Sequence, residues 1–232
     1  MTYIFLIIFS FSISFEHMNA FNINNNKPNH EKPTECIIKN NRYKEDFLYL
    51  TQDNKYEELK INKHVRFGRK IYSNTISPKS NIKDPDQRKW LFVPTILFDT
   101  DDYQIDQNQT YFYIINKHYL EFLCATSYHH DLTNHRRRVF TFTMEDAANM
   151  DECKWRLNEV KNKEMNYELW NVKYNEPLYA ASNFLQSSMS SHKRNVFTWY
   201  KSPDSKQFYW TIFCFDFKLM SFYEKQNNKI ET

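Results

Sequence analysis

"HRRRVFTF", His135–Phe142, and "HKRNVFTW", His192–Trp199, are nearly one phrase written twice, 57 positions apart. The text around them keeps step. Asn116 matches Asn171, Tyr119 matches Tyr174, Glu121 matches Glu176 and Leu123 matches Leu178. Ala125 and Ser127 match Ala180 and Ser182; Val139-Phe140-Thr141 matches Val196-Phe197-Thr198; Trp155 matches Trp210. An earlier, weaker copy precedes them. "CIIKNNRYKEDFLYL" sets Asn41, Asp46, Phe47 and Leu48 under Asn116, Glu121, Phe122 and Leu123. "GRKIYSN" sets Arg69 to Ser73 under Arg137 to Thr141, and Trp90 falls under Trp155, with extra length at Leu50–Lys63 and Ser73–Lys89.

Each copy holds four short apolar or alternating runs. In the second they are Tyr111–Ile115, Glu121–Thr126, Arg138–Thr143 and Lys154–Asn158, with Asn, Asp, Ser and His between them. Period-two patterning broken by turn residues predicts short antiparallel strands. Three copies of four make twelve, and a sheet of that size is best rid of its edges by closing. The count predicts an all-β fold, a β-trefoil: a six-stranded barrel capped by three hairpins. A propeller normally needs at least four blades. The repeats run over about 35–94, 110–160 and 166–214, inside a domain spanning 35–216. Trp90, Trp155 and Trp210 would fill equivalent core positions.

The four cysteines, Cys36, Cys124, Cys153 and Cys214, lack CxxC spacing and allow three disulfide connectivities. Barrel closure makes the first and last strands neighbours, which favours Cys36–Cys214 and leaves Cys124–Cys153 to tie the second copy to itself. Ile4–Phe15 is a mostly apolar run of twelve, too short to span a bilayer and suited to a secretory signal peptide over residues 1–20. Its removal deletes one charged side chain, Glu16, and raises the net charge of +3 by one. Residues 21–34 read as a polar lead and 217–232 as a tail. The expected mature chain has no membrane span and is extracellular, and Asn108 would be its N-glycosylation site. The single glycine, Gly68, excludes phosphate loops, dinucleotide fingerprints and nucleophile elbows, which need several. No cofactor is implied.

Chemistry has four candidate places. Basic residues precede the third strand of each copy: Arg69 and Lys70; Arg136, Arg137 and Arg138; Lys193 and Arg194. In a trefoil these clusters share the capped end, a cradle for sulfated or phosphorylated ligands; edge cations that keep hairpins soluble are the plainer explanation. "YHHDLTNH", Tyr128–His135, reads as a solvated loop, not a metal site. "DTDDYQID", Asp99–Asp106, lacks the glycine and glutamate of a calcium loop. The Asn116/Asn171 pair fits a turn role better than sugar binding. No nucleophile, base and orienting group stand together, and the small charge excess implies no specific nucleic-acid partner.

The pattern "YNEPLYAAS", "KRNVFTW" and a following Trp resembles a group of secreted insect β-trefoil repeat proteins of saliva and body fluids. The resemblance covers Tyr111–Phe213 and, thinly, the first copy. In repeat style it is distantly similar to ricin-type lectins and to the low-molecular-weight lipoproteins of insect haemolymph. Ricin-type lectins carry Gln-x-Trp in each repeat. Here Gln87 and Gln207 stand three before Trp90 and Trp210, and the second copy has no such Gln; no sugar-contact residue carries over. The resemblance and the clusters together imply a secreted, non-enzymatic, lectin-like protein binding an anionic glycan or other polyanion. Alternatives are a protease inhibitor, presenting the Leu50–Lys63 insertion or the Asp99–Asp106 linker, and a haemolymph storage or carrier protein.

Overall fold

The β-branched and aromatic runs become strands, fourteen of them among the described residues. The computed structural model describes residues 33–43, 46–50, 56–61, 64–75, 85–95, 111–131, 135–147, 151–161, 163, 165–184, 193–200 and 205–215. The chain divides into two units, Met1–Lys32 and Pro33–Thr232, and every described residue belongs to the second. The expected signal peptide, Asn108, the Asp99–Asp106 linker and the tail lie outside the described residues.

The first copy contributes β1 (Thr34–Asn40), β2 (Asp46–Tyr49), β3 (Tyr56–Ile61), β4 (His64–Lys70), β5 (Tyr72–Thr75) and β6 (Lys89–Pro94). The second contributes β7 (Tyr111–Asn116), β8 (Phe122–Asp131), β9 (Arg136–Phe142) and β10 (Lys154–Glu159). The third contributes β11 (Asn166–Asn171), β12 (Glu176–Phe184), β13 (Lys193–Thr198) and β14 (Tyr209–Cys214). Two strands exceed the twelve expected. The Leu50–Lys63 insertion supplies β3, and the first copy's third strand is interrupted at Ile71, giving β4 and β5.

Six strands form a ring of antiparallel pairings: β1 with β6, β6 with β7, β7 with β10, β10 with β11, β11 with β14, and β14 back to β1. Three strand pairs, β2–β5, β8–β9 and β12–β13, stand outside it. Their inner strands meet one another, since β9 pairs with β4 and β13, and β13 pairs with β5. The arrangement is all-β and trefoil-like. No helix among the described residues is long and apolar enough to cross a membrane.

The interior explains the repeated letters. Trp90, Trp155 and Trp210 are fully buried. Each indole Nε1 donates to a leucine carbonyl: Leu48 at 3.0 Å, Leu123 at 2.7 Å and Leu178 at 2.9 Å. Burial of a large ring thus leaves no unsatisfied N–H. Ile38, Ile71, Val139, Val196 and Leu178 pack around them. Disulfides join Cys36 to Cys214 and Cys124 to Cys153, the pairing that ring closure favours.

Three buried asparagines shape the turns with their side chains. Asn40, Asn116 and Asn171 are buried. Each Nδ2 donates across the fold to a backbone carbonyl, of Gln207, Gln87 and Glu152 respectively. Each Oδ1 accepts the N–H of the tyrosine three residues on: Tyr43, Tyr119 and Tyr174. The side chain so folds its own turn. Asn40, not Asn41, is therefore the first copy's counterpart of Asn116. Glu152 stands where the other copies have Gln87 and Gln207.

Candidate functional site: the basic cap

Adjacent residues of a strand face opposite ways, and this splits every basic cluster in two. The registers are threefold alike: Arg69 and Lys70 lie opposite Thr141 and Phe140, Arg137 and Arg138 opposite Thr198 and Phe197, Arg194 and Asn195 opposite Ser73 and Tyr72. Arg69, Arg137 and Arg194 share one face with the core residues Ile71, Val139 and Val196. Lys70, Arg138 and Asn195 share the other, with Arg136 two residues before Arg138.

The inward arginines are committed to the fold. Arg69 Nη2 pairs with Glu121 Oε1 at 2.9 Å, Arg137 Nε with Glu176 Oε1 at 3.0 Å, and Arg194 Nε with Asp46 Oδ2 at 2.8 Å. Each guanidinium also lies on a tyrosine ring: Tyr119 at 4.0 Å, Tyr174 at 4.1 Å and Tyr43 at 3.7 Å. Thr141 and Thr198 hydroxyls donate to the second oxygens of Glu121 and Glu176 at 2.6 and 2.7 Å. Tyr56 on β3 donates to Glu121 as well. The carboxylates are almost wholly buried, at 2%, 6% and 2% exposure, so pairing with arginine, joined at Glu121 and Glu176 by the threonine hydroxyls, is what allows the charge inside. The reach is cyclic. The first copy's arginine enters the second, the second's enters the third, and the third's returns to the first. The acidic partners Asp46, Glu121 and Glu176 were legible as a repeat; their partners were not.

The outward residues form a different kind of site. Arg138 and Lys70 are half-buried. Arg138 Nη1 pairs with Glu57 Oε2 of β3 at 3.2 Å, with both side chains more than a third exposed. Lys70 Nζ lies 5.7 Å from the Tyr72 ring. Burial holds the Lys70 ammonium below its ordinary pKa, Glu57 works against that, and Arg138 adds to it. Burial also raises the Tyr72 phenol, with Glu57 adding to the rise. Arg136 lies over the rings of Phe197, at 5.1 Å, and Trp199, at 5.8 Å. Two buried polar atoms of this face, Arg138 Nε and Asn195 Oδ1, have no hydrogen-bond partner among the described residues. The arrangement sets three partly buried cations, Lys70, Arg136 and Arg138, on one face of the cap, beside the buried amide oxygen of Asn195. Lys193 lies opposite Asn74 in the register.

The other candidates fall elsewhere. His129 lies on β8 opposite Arg137, its ring 5.6 Å from that of His135. No group of three His, Cys, Asp or Glu able to hold a metal occurs among the described residues. Of the Leu50–Lys63 insertion, β3 is described and pairs fully with β4, from Tyr56 opposite Arg69 to Ile61 opposite His64.

No protein-family model matches the chain, and no curated protein matches it in sequence. Solved structures do. A Caenorhabditis elegans protein of unknown function has a TM-score of 0.55 at 12% identity, covering 82% of this chain and 98% of that one. The SDF2-like protein from Arabidopsis thaliana has a TM-score of 0.54 at 12% identity, covering 78% and 92%. The S. cerevisiae protein O-mannosyltransferase Pmt1–Pmt2 complex bound to the sugar donor has a TM-score of 0.53 at 10% identity, covering 82% of this chain and 26% of that one. At these identities the likeness is one of fold.

Proposed function

We propose that this protein is a secreted, non-enzymatic β-trefoil, three repeats closing a six-stranded barrel, that binds anionic glycans through the outward face of its cap. The observation that carries this reading is the division of labour within each basic pair. Arg69, Arg137 and Arg194 pair with carboxylates that are almost wholly buried, whereas Arg138 pairs with the half-exposed Glu57 and shares its face with Lys70 and Arg136. Arginine offers sulfate and carboxylate a planar fork of donors. Two disulfides suit an oxidising compartment, as does the apolar run Ile4–Phe15.

Heparin affinity tests it. Arg138→Ala with Lys70→Ala is expected to weaken binding by about tenfold and to reduce the dependence on salt. Exposed cations of other faces, such as Lys161 and Lys163, serve as controls for bulk charge. Equal losses from Lys161→Ala with Lys163→Ala would reject the cap as the site.

A further inference from the structure

The cap already holds an anion of its own. Glu57 comes from β3, the strand that the Leu50–Lys63 insertion adds to the first copy alone. In the β3–β4 hairpin Glu57 lies opposite Gly68, on the face that Lys70 shares, whereas Glu58 lies opposite Phe67 on the reverse face. Gly68 lets that face sit close to the body: a Cβ there would stand 2.8 Å from Phe142 Cε1. Leu59, two residues beyond Glu57 on the same face, is buried in the cluster that contains Phe140 and Phe142. The hairpin is therefore anchored through the face that carries Gly68, Leu59 and Lys70, and the anchor delivers the Glu57 carboxylate to Arg138 at 3.2 Å.

We propose that Glu57 is a tethered competitor, a built-in carboxylate occupying the position that a sulfate or carboxylate of an anionic glycan takes when it binds Arg138 and Lys70. This rests on the reading of the cap as a glycan-binding face and adds its regulation. The ion pair is suited to exchange. With side-chain exposures of 35% and 38%, neither partner is locked away, and an ion pair so exposed is weak enough for an incoming anion to displace. The three pairs on the opposite face, at 2–20% exposure, are not. Glu57 thereby sets a threshold. Isolated weak anions meet an occupied site, whereas a densely sulfated chain, contacting Arg136 as well, displaces the carboxylate.

The experiment measures heparin affinity by calorimetry at fixed salt for the wild type, Glu57→Gln, Glu58→Gln and Glu57→Gln with Arg138→Ala. Both single changes remove one negative charge from the same strand, so bulk electrostatics predicts equal effects. Displacement predicts that Glu57→Gln tightens binding by about threefold to fivefold, the worth of one half-exposed ion pair. Glu58→Gln should change it by less than half of that, and Arg138→Ala should abolish the gain. Equal gains from both glutamines overturn the competitor while leaving the cap as the binding face. Loss of binding on Arg138→Ala with Lys70→Ala, and no gain from Glu57→Gln, does the same. If neither the wild type nor Glu57→Gln binds heparin, both readings fall; binding by Glu57→Gln alone supports the competitor most strongly.

Discussion

The pair Arg69–Glu121 tests the cyclic arginine arrangement most directly. Glu121 is 2% exposed and Arg69 9%, and three donors converge on the carboxylate, from Arg69, Tyr56 and Thr141. Glu121→Gln keeps the shape but removes the charge and turns one acceptor into a donor facing other donors. Breaking a buried pair from one side leaves the other charge uncompensated, at a cost of about 3–5 kcal/mol. Arg69→Met should cost a similar amount. Removing both, as Arg69→Met with Glu121→Leu, replaces the pair by apolar volume and should cost no more than about 1–2 kcal/mol. With Glu121→Leu alone costing at least as much as Glu121→Gln, the coupling in the cycle of Arg69→Met and Glu121→Leu is then at least about 4 kcal/mol. Urea unfolding with the disulfides intact, followed by tryptophan fluorescence, measures it. The Lys154–Asp151 pair, whose aspartate is 65% exposed, provides the baseline of about 0–1 kcal/mol. Additive single effects, or a cost for Glu121→Gln below about 1 kcal/mol, would refute the claim that the inward arginines are structural.

Further outcomes follow from the same geometry. Phenylalanine at position 90, 155 or 210 deletes an indole donor and part of a fully buried ring; each change should cost about 2–4 kcal/mol in urea unfolding, with similar values at the three sites. Gly68→Ala drives a Cβ against the buried Phe142 ring and should cost about 1–3 kcal/mol. Replacing Cys36 and Cys214 by alanine opens a loop of 178 residues, and replacing Cys124 and Cys153 opens one of 29; loop entropy predicts losses of about 5 and about 3–4 kcal/mol in thermal unfolding, in that order. Burial, with Glu152 and Glu176 nearby and against the pull of Arg137, pushes the Tyr174 phenol up to about 12. Its folded pKa lies above the unfolded value near 10, so its contribution to stability is present below pH 10 and fades as pH rises toward 12. Ultraviolet titration should show a late-ionising fraction, to which the raised Tyr72 also belongs, that Tyr174→Phe diminishes at its high-pH end.

The all-β, trefoil-like arrangement was readable because large buried side chains leave their letters at matching places in the sequence. A tryptophan that fills the interior and satisfies its N–H on a leucine carbonyl leaves a visible letter at 90, 155 and 210. The disulfides were readable for a topological reason, since a ring makes β1 and β14 neighbours. The first copy was misregistered by one at Asn41 because Asn40 and Asn41 are both asparagine, and only the hydrogen bonds of Asn40 separate them. The basic clusters were visible, but their division was not drawn from the strand alternation. Arg69 and Lys70 are chemically alike, and the difference lies in which carboxylates stand behind them. Glu121, Glu176 and Asp46 stand 39 to 148 residues from their arginines in sequence, brought there by the pairing of the hairpin strands. Glu57 was hidden in an insertion with no counterpart in the other copies, where repetition gives no guide.

The split within each dipeptide has an evolutionary corollary. One codon of the pair is held by the scaffold, because any change there strands a buried charge. The next codon is held less tightly: Arg138 and its partner Glu57 are both more than a third exposed, and the third pair has Asn195 in place of a cation. If the cap binds as proposed, its preference can be rewritten by substitutions at 70, 138 and 195 without disturbing Arg69, Arg137 and Arg194 one step away, whose buried ion pairs tie neighbouring strands together.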